Sequence, residues 1–255
     1  MLRTSLSKKI LEFIYFRLSF LYLPKSRRLE GIRNSIIENV PISMIIDGGA
    51  NSGQWTKELL RSFPNKPIHS LEPLSEPYNK LKESLRKYPN VKTHKVALGE
   101  KNYQADINVA SNLGASSSLK NPGLHLIVNS SVQFNSKEFV NIQTLDSLQI
   151  IDRDKVYLKL DIQGNELEAL IGAEKSIERI SAIELEMSYT PQYLGEPESF
   201  KIVELLIIRG FRQIYSSIPR VDKFGRQWDF NSIFVKDDVW RKLTNGIEVK
   251  ENGSI

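Results

Sequence analysis

The stretch "MIIDGGANSGQW", Met44 to Trp55, decides the fold of this chain. A short apolar run enters an aspartate, two glycines and a small polar turn. Trp55, Leu59, Leu60 and Phe63 then recur at helical spacing until Pro64. A brief apolar run bounded by a glycine turn reads as a buried strand, here Ser43 to Ile46. Downstream, "PIHSLEP" repeats the strand signal and ends at Glu72. Ser75 is the expected N-cap of a second helix with Tyr78, Leu81, Leu85 and Tyr88 on one face. "VKTHKVAL" alternates as a third strand. The order β-α-β-α-β is that of an α/β fold, a parallel sheet covered by helices on both faces.

Working outward, "LEGIRNSIIENV" places Leu29, Ile32 and Ile36 at helical spacing before Pro41. Between Lys101 and Asp146 the pattern is strand, polar loop, strand, with no long helix, and reads as an insertion at one end of the sheet. "KVYLKLDIQG" returns to the apolar strand pattern, and "NELEALIGA" is helical with Leu167, Leu170 and Ile171 together. "ISAIELEMS" is another strand. "ESFKIVELLIIRG" is a helix presenting Phe200, Val203 and Ile207, closed by Gly210 as the left-handed residue after its last turn. "FRQIYSSI" and "FNSIFVKDD" form a closing antiparallel pair around the polar "PRVDKFGRQW". Residues 1–40 read as a helical extension, 41–240 as one domain and 241–255 as a tail.

Composition narrows the chemistry. The 255 residues are 40% hydrophobic and 25% charged, enough for a sizeable core. A net charge of +5 is spread rather than clustered, which argues against a nucleic-acid partner. There are no cysteines, so disulfides, thiolate nucleophiles and Cys-ligated zinc are excluded. The absence of cysteine fits a cytoplasmic chain. Near the start, the apolar run from Ile10 to Leu23 carries Glu12 and Arg17, too short and too charged to span a bilayer. No small-residue cleavage site follows it. Residues 8–28 therefore read as a helix packed on the domain or on a second subunit. Alternatively they lie on a membrane surface, with Lys8, Lys9, Lys25, Arg27 and Arg28 near anionic lipid.

Ligands of open α/β sheets lie at the carboxyl ends of the strands. Asp47, Glu72 and Asp161 all fall at expected strand ends. A dinucleotide turn has the spacing G-x-G-x-x-G, and here the third glycine is missing. Asp47 at the turn would repel a phosphate and attract an ammonium. S-adenosylmethionine (SAM) carries an ammonium, a sulfonium and a ribose diol but no phosphate. Asp47 suits its positive end, Gly48, Gly49 and Ala50 allow close approach, and Glu72 can accept from both ribose hydroxyls.

These residues, with "SLEPLSEPYNKL", "KVALGE", "SNLGASSSL", "NIQTLDSL", "LKLDIQGNELEALIGA", "IELEMSYTPQYLGEP" and "GRQWDFNSIFV", resemble the FkbM family of SAM-dependent methyltransferases, from about residue 42 to 236. Members carry Glu or Gln at the position of Gln163. The resemblance implies a Rossmann-like class I methyltransferase, with a mostly parallel seven-strand sheet ending in an antiparallel hairpin. It also implies O-methylation, commonly of sugar hydroxyls in glycans or glycoconjugates. The expected cofactor contacts are Asp47, Gly48, Gly49, Ala50, Asn51, Gly53, Glu72, Ala97 and Leu98.

A sugar hydroxyl needs a base or a metal to become a nucleophile. Asp161 is the first candidate base and Glu186 the second, the two together also able to hold a divalent cation such as Mg or Mn. Lys159 is the third candidate catalytic residue, its amine reaching a carboxylate. Asn112, Ser116, Ser117 and His125 are the expected acceptor contacts. Two other functions remain open: methylation of a lipid or polyketide-like acceptor at a membrane surface, and a non-catalytic nucleoside-binding scaffold.

Overall fold

The apolar run before Asp47 is strand β1 (Met44–Gly48), buried along its whole length. The computed structural model describes residues 25–244. β1 is followed by α2 (Gln54–Ser62), β2 (Ile68–Leu71), α3 (Ser75–Leu85) and β3 (Val91–His94). It is preceded by α1 (Lys25–Asn39). β4 (Ala97–Leu98), β5 (Tyr103–Ala110), the short α4 (His125–Val128) and β6 (Phe134–Gln143) make up the middle. β7 (Val156–Leu160), α5 (Glu166–Ile171), β8 (Ile180–Ser188), α6 (Ser199–Ile208), β9 (Phe211–Ser216), β10 (Asp229–Lys236) and α7 (Asp237–Thr244) complete the chain.

Seven strands form one sheet in the order β3-β2-β1-β7-β8-β10-β9. β1 pairs in parallel with both β2 and β7, and β10 is antiparallel to both β8 and β9. The order therefore reverses between β1 and β7, so a cleft opens beyond their carboxyl ends. The sheet buries apolar residues on both faces. Met44, Ile46, Leu158, Leu160, Ile183 and Leu185 pack on one side. Ile45, Tyr157, Ala182 and Ile233 pack on the other, beneath Ile36 and Ile37 of α1 and Val40 just after it.

Charge also sits inside that second face. Register places Asp47 beside Lys159 and Lys159 beside Glu184, across three adjacent strands. Arg33 of α1 closes the row, donating to both Glu184 oxygens at 2.7 and 2.9 Å. Tyr157 donates its hydroxyl to Glu184 Oε2 at 2.8 Å. Burial opposes the charge on Arg33, yet Glu184 outweighs it and raises the guanidinium pKa. Alternating signs along one row let each buried charge be matched, the condition for carrying such groups in a core.

Several expectations are corrected. "VKTHKVAL" is two strands, because the chain leaves the main sheet after His94 and Ala97–Leu98 joins a second, three-stranded sheet ordered β4-β6-β5. Ser75 is not the N-cap. Leu74 holds that position, and the Ser75 amide donates to Glu138 at 2.9 Å. α6 turns Ile202 and Leu206 inward and leaves Phe200 and Ile207 exposed. Its sequence is apolar nearly all round, so spacing alone does not select a face. Ile171 is likewise exposed. The boundary at 240 falls inside α7. The expected membrane contact through 8–28 lies largely outside the described residues.

Candidate functional site

The turn after β1 begins with a contact between two backbones. Gly49 has φ +79°, and a Cβ there would stand 1.9 Å from the Asp161 carbonyl oxygen. Only glycine permits the β1 and β7 turns to close on each other in this way. The Asp161 amide donates to Gly48 O at 3.1 Å, and Gly49 and Ala50 donate to Leu71 O. The three strand ends are thus fastened by main chain, leaving their side chains free to face the cleft.

Beyond them lies a pocket lined by Gly49, Asn51, Glu72, Leu74, Ala97 and Leu98, and by Ile107, Gly114, Ala115, Ser117 and Leu119. Asp161, Ile162, Gln163 and Asn165 complete it. The middle segment is therefore no decoration, since its β4 end and its 114–119 loop form the wall. Among the described residues, no Lys or Arg lines this pocket. Glu72 is 5% exposed, and its oxygens accept from the amides of Asn51 and Leu74, both at 2.9 Å. Burial pushes its carboxyl up to about 7. Asn165 Nδ2 donates to Leu98 O at 2.8 Å, holding the opposite wall.

The structure does not bring every expected cofactor residue to this pocket. Asp47 is fully buried and faces Thr56 Oγ1 at 2.7 Å and Lys159 Nζ at 3.2 Å. Its charge is already matched, so it shapes the turn from beneath rather than meeting a ligand's ammonium. Gly48, Ala50 and Gly53 are also absent from the lining. Gly53, at φ +86°, starts α2 against Leu81. Lys159 sits under the floor, where Asp161 Oδ2 is 3.6 Å away. Burial opposes its charge, but Asp47, Asp161 and Glu184 together raise its pKa.

Asp161 and Glu186 do meet, through a residue that the pattern of strand ends did not single out. Gln163 Nε2 donates to Asp161 Oδ1 and to Glu186 Oε2, each at 2.8 Å. The neighbouring Asp161 charge, followed by burial, drives the Glu186 pKa well upward. An amide between the oxygens occupies the place where a cation would bridge them. Among the described residues no group of three or more His, Asp or Glu side chains is gathered to hold a metal ion.

Gln163 is held in a left-handed conformation (φ +55°). Its carbonyl accepts from Ser118 Oγ at 2.7 Å, and its Oε1 lies 2.9 Å from the Tyr193 hydroxyl. Backbone strain at a pocket residue marks a place where the surroundings over-determine a conformation. Glu166, buried and accepting from the amides of Ile162 and Gly164 at 2.8 and 3.0 Å, fixes the same turn from behind. Burial pushes its carboxyl up to about 8.

Of the expected acceptor contacts, Ser117 lines the pocket, while Asn112 and Ser116 bond each other at 2.9 Å. His125 is buried away from the pocket, with its ring against Phe134 and Tyr193. Tyr193 and Gln163 are the residues missed. Both lie in segments that carry the family resemblance, "YTPQYLGEP" and "LKLDIQGNE", which was the available signal.

A family model described as "Methyltransferase FkbM domain" matches residues 47–213. A crystal structure of the methyltransferase FkbM from Methylobacillus flagellatus KT is similar at 18% identity and TM-score 0.46, over 76% of this chain and 43% of that one. The chain thus spans less than half of that relative's length. A precorrin-6y C5,15-methyltransferase from Geobacter metallireducens is similar at 13% identity and TM-score 0.40, over 81% and 88% of the two chains. A Streptococcus mutans chain assigned as a methyltransferase, in complex with SAH, is similar at 12% identity and TM-score 0.39, over 76% and 88%. No curated protein matches.

Proposed function

Because the chain belongs to the FkbM methyltransferase family, we propose that it transfers a methyl group from SAM to a hydroxyl of a sugar in a glycan or glycoconjugate. The observation that carries this reading is the pairing of a cation-free nucleoside pocket with a carboxylate pair at its edge. Glu72 faces the pocket with lone pairs for a ribose diol, and Leu71, Val96, Leu98 and Ile107 offer apolar walls for a base. A pocket without Lys or Arg suits a ligand without phosphate.

When bound, SAM supplies an electrophilic methyl on its sulfonium. The chain's own part is to place an oxygen behind that methyl and to remove its proton. Asp161, whose side chain is 39% exposed, is oriented by Gln163 and is the acceptor for that proton. Gln163 Nε2 also holds Glu186 in place, and Tyr193 fixes the amide that spans the two carboxyl groups. An oxygen nucleophile needs such a base at neutral pH, whereas a neutral amine does not.

The test compares glycans by mass spectrometry from cells with and without the gene. The expected difference is one added methyl on a sugar hydroxyl, absent when Asp161→Asn replaces the natural protein. That variant should still bind SAH by calorimetry. A methyl found on nitrogen or carbon would overturn the hydroxyl reading, and no heat with SAM or SAH would overturn the cofactor.

A further inference from the structure

Three loops meet at the carboxyl edge beside the Asp161–Glu186 pair. Leu194 N donates to Asn121 O at 2.8 Å, and Gly123 and His125 donate to Gln192 O at 3.0 Å. Arg220 Nη1 donates to Asn129 Oδ1 at 2.6 Å, and its Nη2 to Gln192 Oε1 at 3.2 Å. The segments 121–129, 192–194 and 217–228 are thereby one rim, joined to the site through Tyr193 and Gln163.

The inner side of this rim is polar and satisfied, but its outer side is apolar. Ile127, Leu194, Ile218, Val221 and Phe224 are each more than half exposed, with Phe224 at 72%. Scattered exposed apolar residues need no explanation, whereas five on three segments that are bonded to one another do. Basic side chains accompany them: Lys223 Nζ and the Arg226 guanidinium lie 5.0 and 5.4 Å from the Phe224 ring centroid. Arg226 is already paired with Asp222 at 2.6 Å, so Lys223 supplies the loop's excess positive charge, and an aromatic beside such a cation suits the boundary between lipid headgroups and acyl chains.

The direction of α1 adds a second observation. A short link carries α1 into the amino end of β1, and Arg33 reaches Glu184 partway along β8. The first residue of α1 lies about 12 Å further toward the carboxyl edge at 1.5 Å per residue. The loop 217–228 leaves from that same edge, because Asp229 pairs with Ser188 at the end of β8. Lys25, where the described chain begins, therefore lies toward the rim's side of the sheet, and the sequence before it holds Lys8, Lys9 and the apolar run Ile10 to Leu23. Among the described residues no helix is long and apolar enough to cross a membrane.

We propose that this rim docks on an anionic lipid bilayer, so that the acceptor hydroxyl belongs to a membrane-borne amphiphile, such as the sugar of a glycolipid. The docking stands on the rim alone, and only the nature of the acceptor rests on the methyltransferase reading above. The apolar rim enters the headgroup layer, and the Asp161–Glu186 pair then faces hydroxyls held at the bilayer surface.

The experiment floats the full-length protein with phosphatidylcholine vesicles, with or without about a third phosphatidylglycerol. Wild type is expected to float with the anionic vesicles, and Val221→Ser/Phe224→Ser to lower the bound fraction about tenfold. SAH affinity by calorimetry should stay within about twofold in that variant, since neither residue touches the cofactor pocket. If the double variant fails to fold, Leu126→Ser/Ile127→Ser on the neighbouring loop gives the same reading. No flotation of wild type, or equal flotation of a folded rim variant, overturns the proposal. So does a dimer in sedimentation velocity that the rim variant dissociates, because the rim would then be a self-interface. Flotation without any SAH binding would instead retire the methyltransferase reading and leave the docking intact.

Discussion

On the β1–β2 side of the carboxyl edge, the pocket consists of main chain, apolar side chains and one inward carboxylate, Glu72. On the β7–β8 side, Asp161, Glu166 and Glu186 crowd a single turn, and their order depends on Gln163 and Tyr193. The first side is specified by conformations that few residues can adopt, so its geometry is stiff before any ligand arrives. The second is a hydrogen-bond network in which each member is placed by another. Such networks respond steeply to the loss of one partner, because a buried group is left unmatched. The contrast suits a cofactor of fixed shape on one side and proton handling on the other.

The contrast can be broken most severely at Gly49. Gly49→Ala puts a methyl 1.9 Å from Asp161 O in a backbone region hostile to side chains. The expected cost is about 3 kcal/mol or more, read by urea unfolding, together with loss of SAM binding. Wild-type stability would show that the two sides do not share this hinge.

Next in size is the buried pair beneath the turn. Lys159→Met or Asp47→Asn alone should each cost roughly 3–5 kcal/mol, since one removal strands the other group. The double variant should cost clearly less than the sum of the two. Additive losses in denaturant titrations would mean that the 3.2 Å contact carries no coupling.

Glu72 sharpens the comparison through pH. Burial holds its carboxyl near 7, so below that pH it takes a proton and loses acceptor capacity. SAM affinity should therefore fall as pH drops through about 7. Glu72→Gln should weaken binding about tenfold at pH 8, the effect of losing a hydrogen bond to a charged group, and should flatten the profile. Calorimetry at several pH values decides this, and an unchanged profile in the variant would remove Glu72 from the ribose.

The smallest effect is expected at His125. It packs between Phe134 and Tyr193, and its Nδ1 has no hydrogen-bond partner. Its Nε2 lies 3.0 Å from Asn129 Nδ2, away from the pocket lining, so His125→Phe should leave kcat and KM within about twofold. A tenfold fall in kcat would return it to the acceptor site.

Legibility in the sequence follows the same division. β1, its glycines and Glu72 are local features: an apolar run, a turn that only glycine can make, and a carboxylate at a strand end. The antiparallel closing pair and Gly210, with φ +77°, are equally local. Which face α6 buries was not legible, since Ile202 and Phe200 are equivalent by hydropathy. Nor was the row Asp47–Lys159–Glu184–Arg33, whose members are neighbours through strand register and helix packing.

By itself the sequence determined the α/β alternation, the glycine turn and the strand-end carboxylates, because periodicity and backbone stereochemistry act over a few residues. Only the tertiary structure decided that Asp47 turns inward to Lys159, while Glu72 turns outward to the pocket. Both are acids at strand ends, and what separates them is the partner that burial brings to each. A buried charge must be matched, and the match for Asp47 lies on a neighbouring strand more than a hundred residues away.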